Sequence, residues 1–242
     1  MNRFVCALIA GAFLLSAQVP AHAAERTVRI STSYRNLLST PEQTGMLDRI
    51  VKEAFHRIGI RAKIVFTTAE RSLIAVNDGI LDGELNRITG MEENFPNLVR
   101  VPEPNMQMQF VAFANRDISI SDWESLRGLR IGMVNGWKIL ECNTKDFPDV
   151  THQVEAPPLF RMLDRDRLDV VLYAKLTGYE ILHELGLNNI RALSPPLCVR
   201  DMFLYMHKSH QDLLEPLAHA LRSMKQDGTY ARIVKQATEG LR

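Results

Sequence analysis

Apolar and polar residues alternate over Val28-Arg29-Ile30-Ser31-Thr32, the two-residue period of a strand with one buried face. Across residues 42–58 the period lengthens. Met46, Leu47, Ile50, Val51, Ala54, Phe55 and Ile58 share one helical stripe, with Thr40-Pro41 ahead as a start signal and Gly59 behind as a stop. A strand over 62–67, a helix over 70–77 and a strand over 83–88 follow. Strands alternating with amphipathic helices predict a mostly parallel sheet flanked by helices, an α/β fold.

Pro96, Pro102 and Pro104 interrupt this regularity, and a long strand over 107–115 leads out of it. A second run then predicts a helical turn at 123–126, strands at 129–134, 151–154 and 168–173, and helices at 136–145, 158–165 and 175–185, the last stopped by Gly186. A strand over 202–207 and helices over 213–224 and 230–237, parted at Asp227-Gly228, close the chain. Two α/β units in tandem with a leftover tail are packed most simply if the tail returns to the first unit. The chain then crosses between lobes twice, near 109–115 and near 197–203. Lobe 1 is expected over 24–110 with 201–242 and lobe 2 over 111–200, with an interlobe cleft of the kind that holds small molecules.

The first 23 residues stand apart from this pattern. Arg3 precedes a mostly apolar run over 4–15, and Ala21-His22-Ala23 places small residues where a leader is cut, so a signal peptide over 1–23 with cleavage after Ala23 is expected. The apolar run is shorter than the ~20 residues that span a bilayer, and Cys6 lies ahead of it rather than at the cleavage point. The whole chain carries 29 Lys+Arg against 28 Asp+Glu, and loss of Arg3 leaves the remainder formally neutral. The clustered basic excess of a nucleic-acid binder is missing, so no nucleic-acid partner is expected. Cys142 and Cys198 remain after cleavage; in an exported chain the pair suggests a disulfide, with two buried thiols as the alternative.

Glu70–Arg87, reading ERSLIAVNDGILDGELNR, carries a helix into Asp-Gly at 82–83 and a strand that ends on an arginine. A cation at the carboxyl end of such a strand is where open α/β sheets place ligand crevices. With the leader, this stretch, the step WESLRGLRIG at 123–132, the strand RLDVVL at 167–172 and the ending that runs from Leu213 to Gly228, the chain resembles the family 3 periplasmic solute-binding proteins, the amino-acid-type receptors of ABC importers. The resemblance covers nearly the whole mature chain. It implies the type II two-lobe periplasmic-binding-protein fold, each lobe a mostly parallel sheet flanked by helices and joined by two hinge crossovers. It further implies a monomer in the periplasm that takes a small-molecule ligand to an ABC permease at the inner membrane, or shows it to a sensor protein. No cofactor is implied. The family's arginine for the ligand carboxylate would fall on Asn94, and its acid for the ligand ammonium on Ala174. Neither group is present, so the resemblance implies a ligand held otherwise than a standard α-amino acid.

Arg87 is a candidate for a relocated anion grip, being always charged and shaped for a carboxylate; a salt bridge to Glu84 is its ordinary alternative. Asn86 beside it is a further candidate. Asn135-Gly136-Trp137 follows a strand and opens a helix, so its N–H groups could seat an anion, or it could be a plain turn. Tyr34 after the first strand, Arg71 at the start of the second helix and Tyr173 at a strand end complete the candidate ligand-binding set. His207 and His210 lack a third ligand nearby, so no metal site is expected. Neither G-x-S-x-G, a P-loop nor G-x-G-x-x-G occurs, and no catalytic residue is assigned. The enzymatic alternative, a cyclohexadienyl-dehydratase-like lyase on the same fold, would have to use Glu42 or Glu84.

Overall fold

The computed structural model describes residues 26–241; the expected leader, 1–23, and its cleavage point lie outside them. β1 (Thr27–Thr32) opens the first lobe, followed by α1 (Met46–Arg57), β2 (Arg61–Phe66), α2 (Ala69–Asn77), β3 (Gly83–Arg87) and β4 (Leu98–Arg100). β5 (Met106–Ala114) leads into the second: β6 (Ile131–Val134), α3 (Lys138–Thr144), β7 (Val150–Gln153), α4 (Ala156–Asp164), β8 (Val170–Ala174), α5 (Lys175–Leu185) and β9 (Arg191–Ala192). β10 (Cys198–His207), α6 (Leu214–Gln226) and α7 (Thr229–Ala237) return. β1 lies parallel between β2 and β3, and β6 parallel between β7 and β8.

β10 is longer than its apolar pattern predicts, and the extension ties the lobes together. Its first half, Cys198 to Met202, pairs antiparallel with β5; its second half lies between β3 and β4, with Phe203 opposite Arg87 and Tyr205 opposite Glu84. Val199, Arg200 and Asp201 in the first half are exposed, so no alternation marks them as strand. Lobe 1 buries Leu47, Ile50 and Phe55 of α1 against Leu217, Leu221 and Met224 of α6 and Ile233 of α7, so the tail packs on the first unit. Lobe 2 buries both faces of its sheet, with Ile131 and Leu172 on one and Leu159, Phe160 and Val171 on the other.

The same device anchors a strand in each lobe. Asp82 accepts the Arg29 N–H at 2.7 Å while its own N–H donates to the Arg29 carbonyl at 2.9 Å. Asp169 accepts the Arg130 N–H at 2.8 Å and donates back to the Arg130 carbonyl at 2.8 Å. The Arg130 guanidinium also binds Asp169, which holds that carboxyl far below the usual carboxylate range. The aspartates of the Asp-Gly at 82–83 and of the strand RLDVVL at 167–172 therefore fix strand register. Gly83 follows from the same geometry: a Cβ there would stand 2.7 Å from the Tyr205 carbonyl oxygen of β10.

α1 begins at Met46 rather than at residue 42. The cause is Asp48, a buried carboxylate that accepts the Ser39 hydroxyl at 2.7 Å and the N–H groups of Thr40 and Gly45 at 3.0 Å each. These bonds hold 39–45 as a turn, and Gln43, at φ +59°, sends its side-chain oxygen to the Ile64 N–H on the edge of β2.

Candidate functional site

The carboxyl ends of β1, β3 and β8 converge where the lobes meet, the place at which open α/β sheets present side chains to ligands. A cavity of about 370 Å³ opens there. Lobe 1 lines it with Ser33, Tyr34, Arg35, Asn36, Leu38 and Arg87; Met108 and Phe110 come from β5; Trp137, Ile139, Tyr173, Ala174 and Thr177 complete it from lobe 2. Two arginines stand in this wall, and among the described residues lining it none is acidic.

Arg87 reaches the cavity because β3 ends on it. Its Nη2 pairs with Glu84 Oε1 at 2.9 Å, so the ordinary alternative and the cavity position hold together. Glu84 is buried and also accepts the hydroxyls of Ser31 and Ser72. Burial pushes its carboxyl above the usual range, while Arg87 and Ser31 pull the other way. A guanidinium braced on one side by a buried carboxylate has few rotamers left, so its place in the cavity wall is fixed. Arg35, by contrast, is exposed, with its guanidinium carbon 3.8 Å above the Phe66 ring centroid.

The opposite wall is aromatic. Trp137 and Tyr173 stack with centroids 4.5 Å apart at 21°, and Phe110 meets Trp137 edge-on at 5.8 Å. Burial, helped by the Glu180 carboxylate, pushes the Tyr173 phenol up to about 12. The Tyr34 phenol is likewise raised by burial and accepts an Asn86 amide N–H at 3.3 Å. Both phenols are therefore neutral near pH 7 and able to donate. Charge at one end and a flat apolar surface at the other suit an anionic group attached to a planar or apolar body.

Of the residues singled out from sequence, Tyr34, Arg87, Trp137 and Tyr173 meet in this cavity. Asn86 is buried behind Tyr34. Arg71 is exposed on α2, outside the lining. Asn135 and Gly136 are exposed and also outside it, and the Gly136 N–H donates to Glu141 Oε1 at 2.6 Å, so the chain's own carboxylate takes the seat expected for a ligand anion. Asn94 is exposed just after a 3₁₀ turn, whereas Ala174 does line the cavity. The expected disulfide is not formed: Cys142 and Cys198 are both free, the first exposed on α3 and the second partly buried at the start of β10. Met108 and Phe110, two apart on β5, share its cavity side; their alternation in MQMQF gave a signal, but one equally suited to core packing. Arg35 carried none beyond its place next to Tyr34.

Residues 32–239 match the family model of the bacterial extracellular solute-binding proteins, family 3. An uncharacterised protein of Shewanella oneidensis is 28% identical over 196 residues, which cover 78% of this chain and 74% of that one. Among solved structures, a histidine kinase sensor domain with similarity to periplasmic binding proteins superposes with a TM-score of 0.67 at 16% identity, covering 90% of this chain and 96% of that one. An ancestral arginine-binding protein bound to arginine gives 0.68 at 18% identity, covering 89% and 99%. These two likenesses show the fold.

Proposed function

The chain belongs to the bacterial extracellular solute-binding proteins, family 3, and we propose that it captures a small carboxylate-bearing solute, amino-acid-like or an organic acid, in the interlobe cavity. The observation that carries this reading is a lining with two arginines, a stacked Trp137–Tyr173 pair and, among the described residues, no acid. Arg87 grips the carboxylate, the aromatic pair covers the body of the ligand, and Tyr34 and Tyr173 donate from their phenols. Closure is a population shift: a ligand that touches both lobes binds the closed form more tightly than the open one. Lobe 1 is 24–110 with 201–242 and lobe 2 is 111–200, with β5 and β10 as the hinge.

In this reading the protein works in the periplasm, does no chemistry on its ligand, and delivers it as a monomer to an ABC permease. Display of the same bound form to a signalling partner is the second reading; the sensor-domain fold likeness supports it only as far as fold goes. A thermal-shift screen that pairs each carboxylic acid with its primary amide tests the central point. At a hundredfold excess over Kd, a bound acid adds ~2.7 kcal/mol, a rise in Tm of roughly 5–10 °C for a chain of this size. Equal shifts from acid and amide would remove the carboxylate from the proposal.

A further inference from the structure

A second chamber, of about 240 Å³, adjoins the arginine-bearing cavity. Its apolar walls include Leu38, Met106, Met108, Ala174, Leu176 and Val234, contributed by both lobes and by the closing helix α7, with Gln107, Gln109, Lys175 and Thr238 at its polar margin. Leu38, Met108, Ala174 and Thr177 line both spaces. Leu38, Ala174 and Thr177 are buried and fixed, at 1%, 3% and 6% exposure. Met108 is the partly exposed member and packs on the margins of both lobe cores. A methionine has three rotatable side-chain bonds and adapts its shape to a neighbour. The divider between an anion-binding cavity and an apolar chamber is thus the most adaptable side chain of the shared wall.

We infer that the ligand is amphipathic, with its carboxylate at Arg87 and an apolar tail that passes Met108 into the chamber walled by Met106, Leu176 and Val234. This deepens the proposed function and rests on its placing of the carboxylate. Adjacency decides the occupant. The chamber and the charged cavity share four lining residues, so a tail attached to a head at Arg87 reaches the chamber once Met108 turns aside. A tail buried there leaves water for a largely apolar surface, which strengthens binding in proportion to its length.

The probes are straight-chain carboxylates from propionate to octanoate, titrated calorimetrically into the mature protein and into Leu176→Gln, with alkylamines of equal length as controls. Leu176 lines the chamber but not the arginine cavity. Affinity is expected to rise about fourfold per methylene until the chamber is full. Leu176→Gln should flatten that rise and leave propionate unchanged, which also shows that the variant is folded. Short acids that bind with no gain from length would overturn the tail and spare the carboxylate grip. Binding by no acid of any length would overturn both. An equal rise for the amines would detach the chamber from Arg87. A preference for the ω-dicarboxylate over the alkyl acid would replace the apolar tail with a second anion, held by Lys175 on the chamber's exposed side.

Discussion

At the scale of single residues, ligand capture depends on how Arg87 is held. Glu84 braces it from the buried side and is itself braced by Ser31 and Ser72. A buried carboxylate whose pKa lies above its unfolded value keeps its proton in the folded chain after the unfolded chain has released it. Its contribution to stability is therefore complete below the ordinary carboxylate pKa and is lost as pH rises through the raised value. Arg87, the Tyr34 phenol and the two serine hydroxyls are the polar groups that face it. Glu84→Gln deletes this dependence, so the variant should gain on the wild type as pH rises above the ordinary carboxylate value of about 4. Urea unfolding across that range measures it, and a wild-type advantage that grows with pH would contradict the assignment. Ligand affinity should fall in the same variant, because the amide oxygen that replaces the carboxylate holds Arg87 less strongly.

Elements show where the sequence was legible and where it was not. α5 has the bounds its pattern predicts, because a helical stripe ends on Gly186, a residue free to take the left-handed conformation at φ +66°. α1 starts four residues late because Asp48 spends its oxygens on the preceding turn, a tertiary choice no periodicity reveals. β4 and β9, with three and two residues, are too short to show a period and exist only through pairing with β10 and β5. In the cavity, Tyr34, Arg87, Trp137 and Tyr173 stood out because each lies at or just after a strand end or opens a helix. Arg35, Phe110 and Thr177 did not, because the shape of the loop after β1 and the facing of β5 depend on the other lobe. The Asp82-Gly83 step also carries a prediction at this scale. Gly83→Ala places a methyl against the β10 carbonyl, and such overpacking costs about 1–3 kcal/mol. A denaturation midpoint equal to that of wild type would show that β3 and β10 can separate freely.

At the scale of the whole molecule, a direct bond joins the loop after β1 to α5. The Leu37 N–H donates to Glu180 Oε1 at 2.6 Å, linking lobe 1 to lobe 2 beside the cavity. Partial burial raises the Glu180 carboxyl, and the Leu37 bond opposes that rise. A hydrogen bond to a charged acceptor contributes about 1.5–3 kcal/mol, and this one spans the two lobes. Glu180→Ala should therefore favour a more open form, weakening ligand binding about tenfold or more and lowering the unfolding midpoint of the free protein by a few degrees. Small-angle scattering should find the variant more expanded without ligand. An unchanged affinity would remove the latch.

Calorimetric titration of the best carboxylate from the screen into wild type, Arg87→Gln and the charge-balanced pair Glu84→Gln/Arg87→Gln measures whether Arg87 holds the ligand. The double variant guards against a misfolded single one, since it leaves no buried carboxylate without its partner. If Arg87 grips the ligand carboxylate, both variants lose affinity by a hundredfold or so, the order expected for a charged hydrogen-bonded contact, while their amide-ligand affinity stays at the wild-type level. If either variant binds the acid as tightly as wild type does, Arg87 is a structural partner of Glu84 alone and the ligand is held elsewhere.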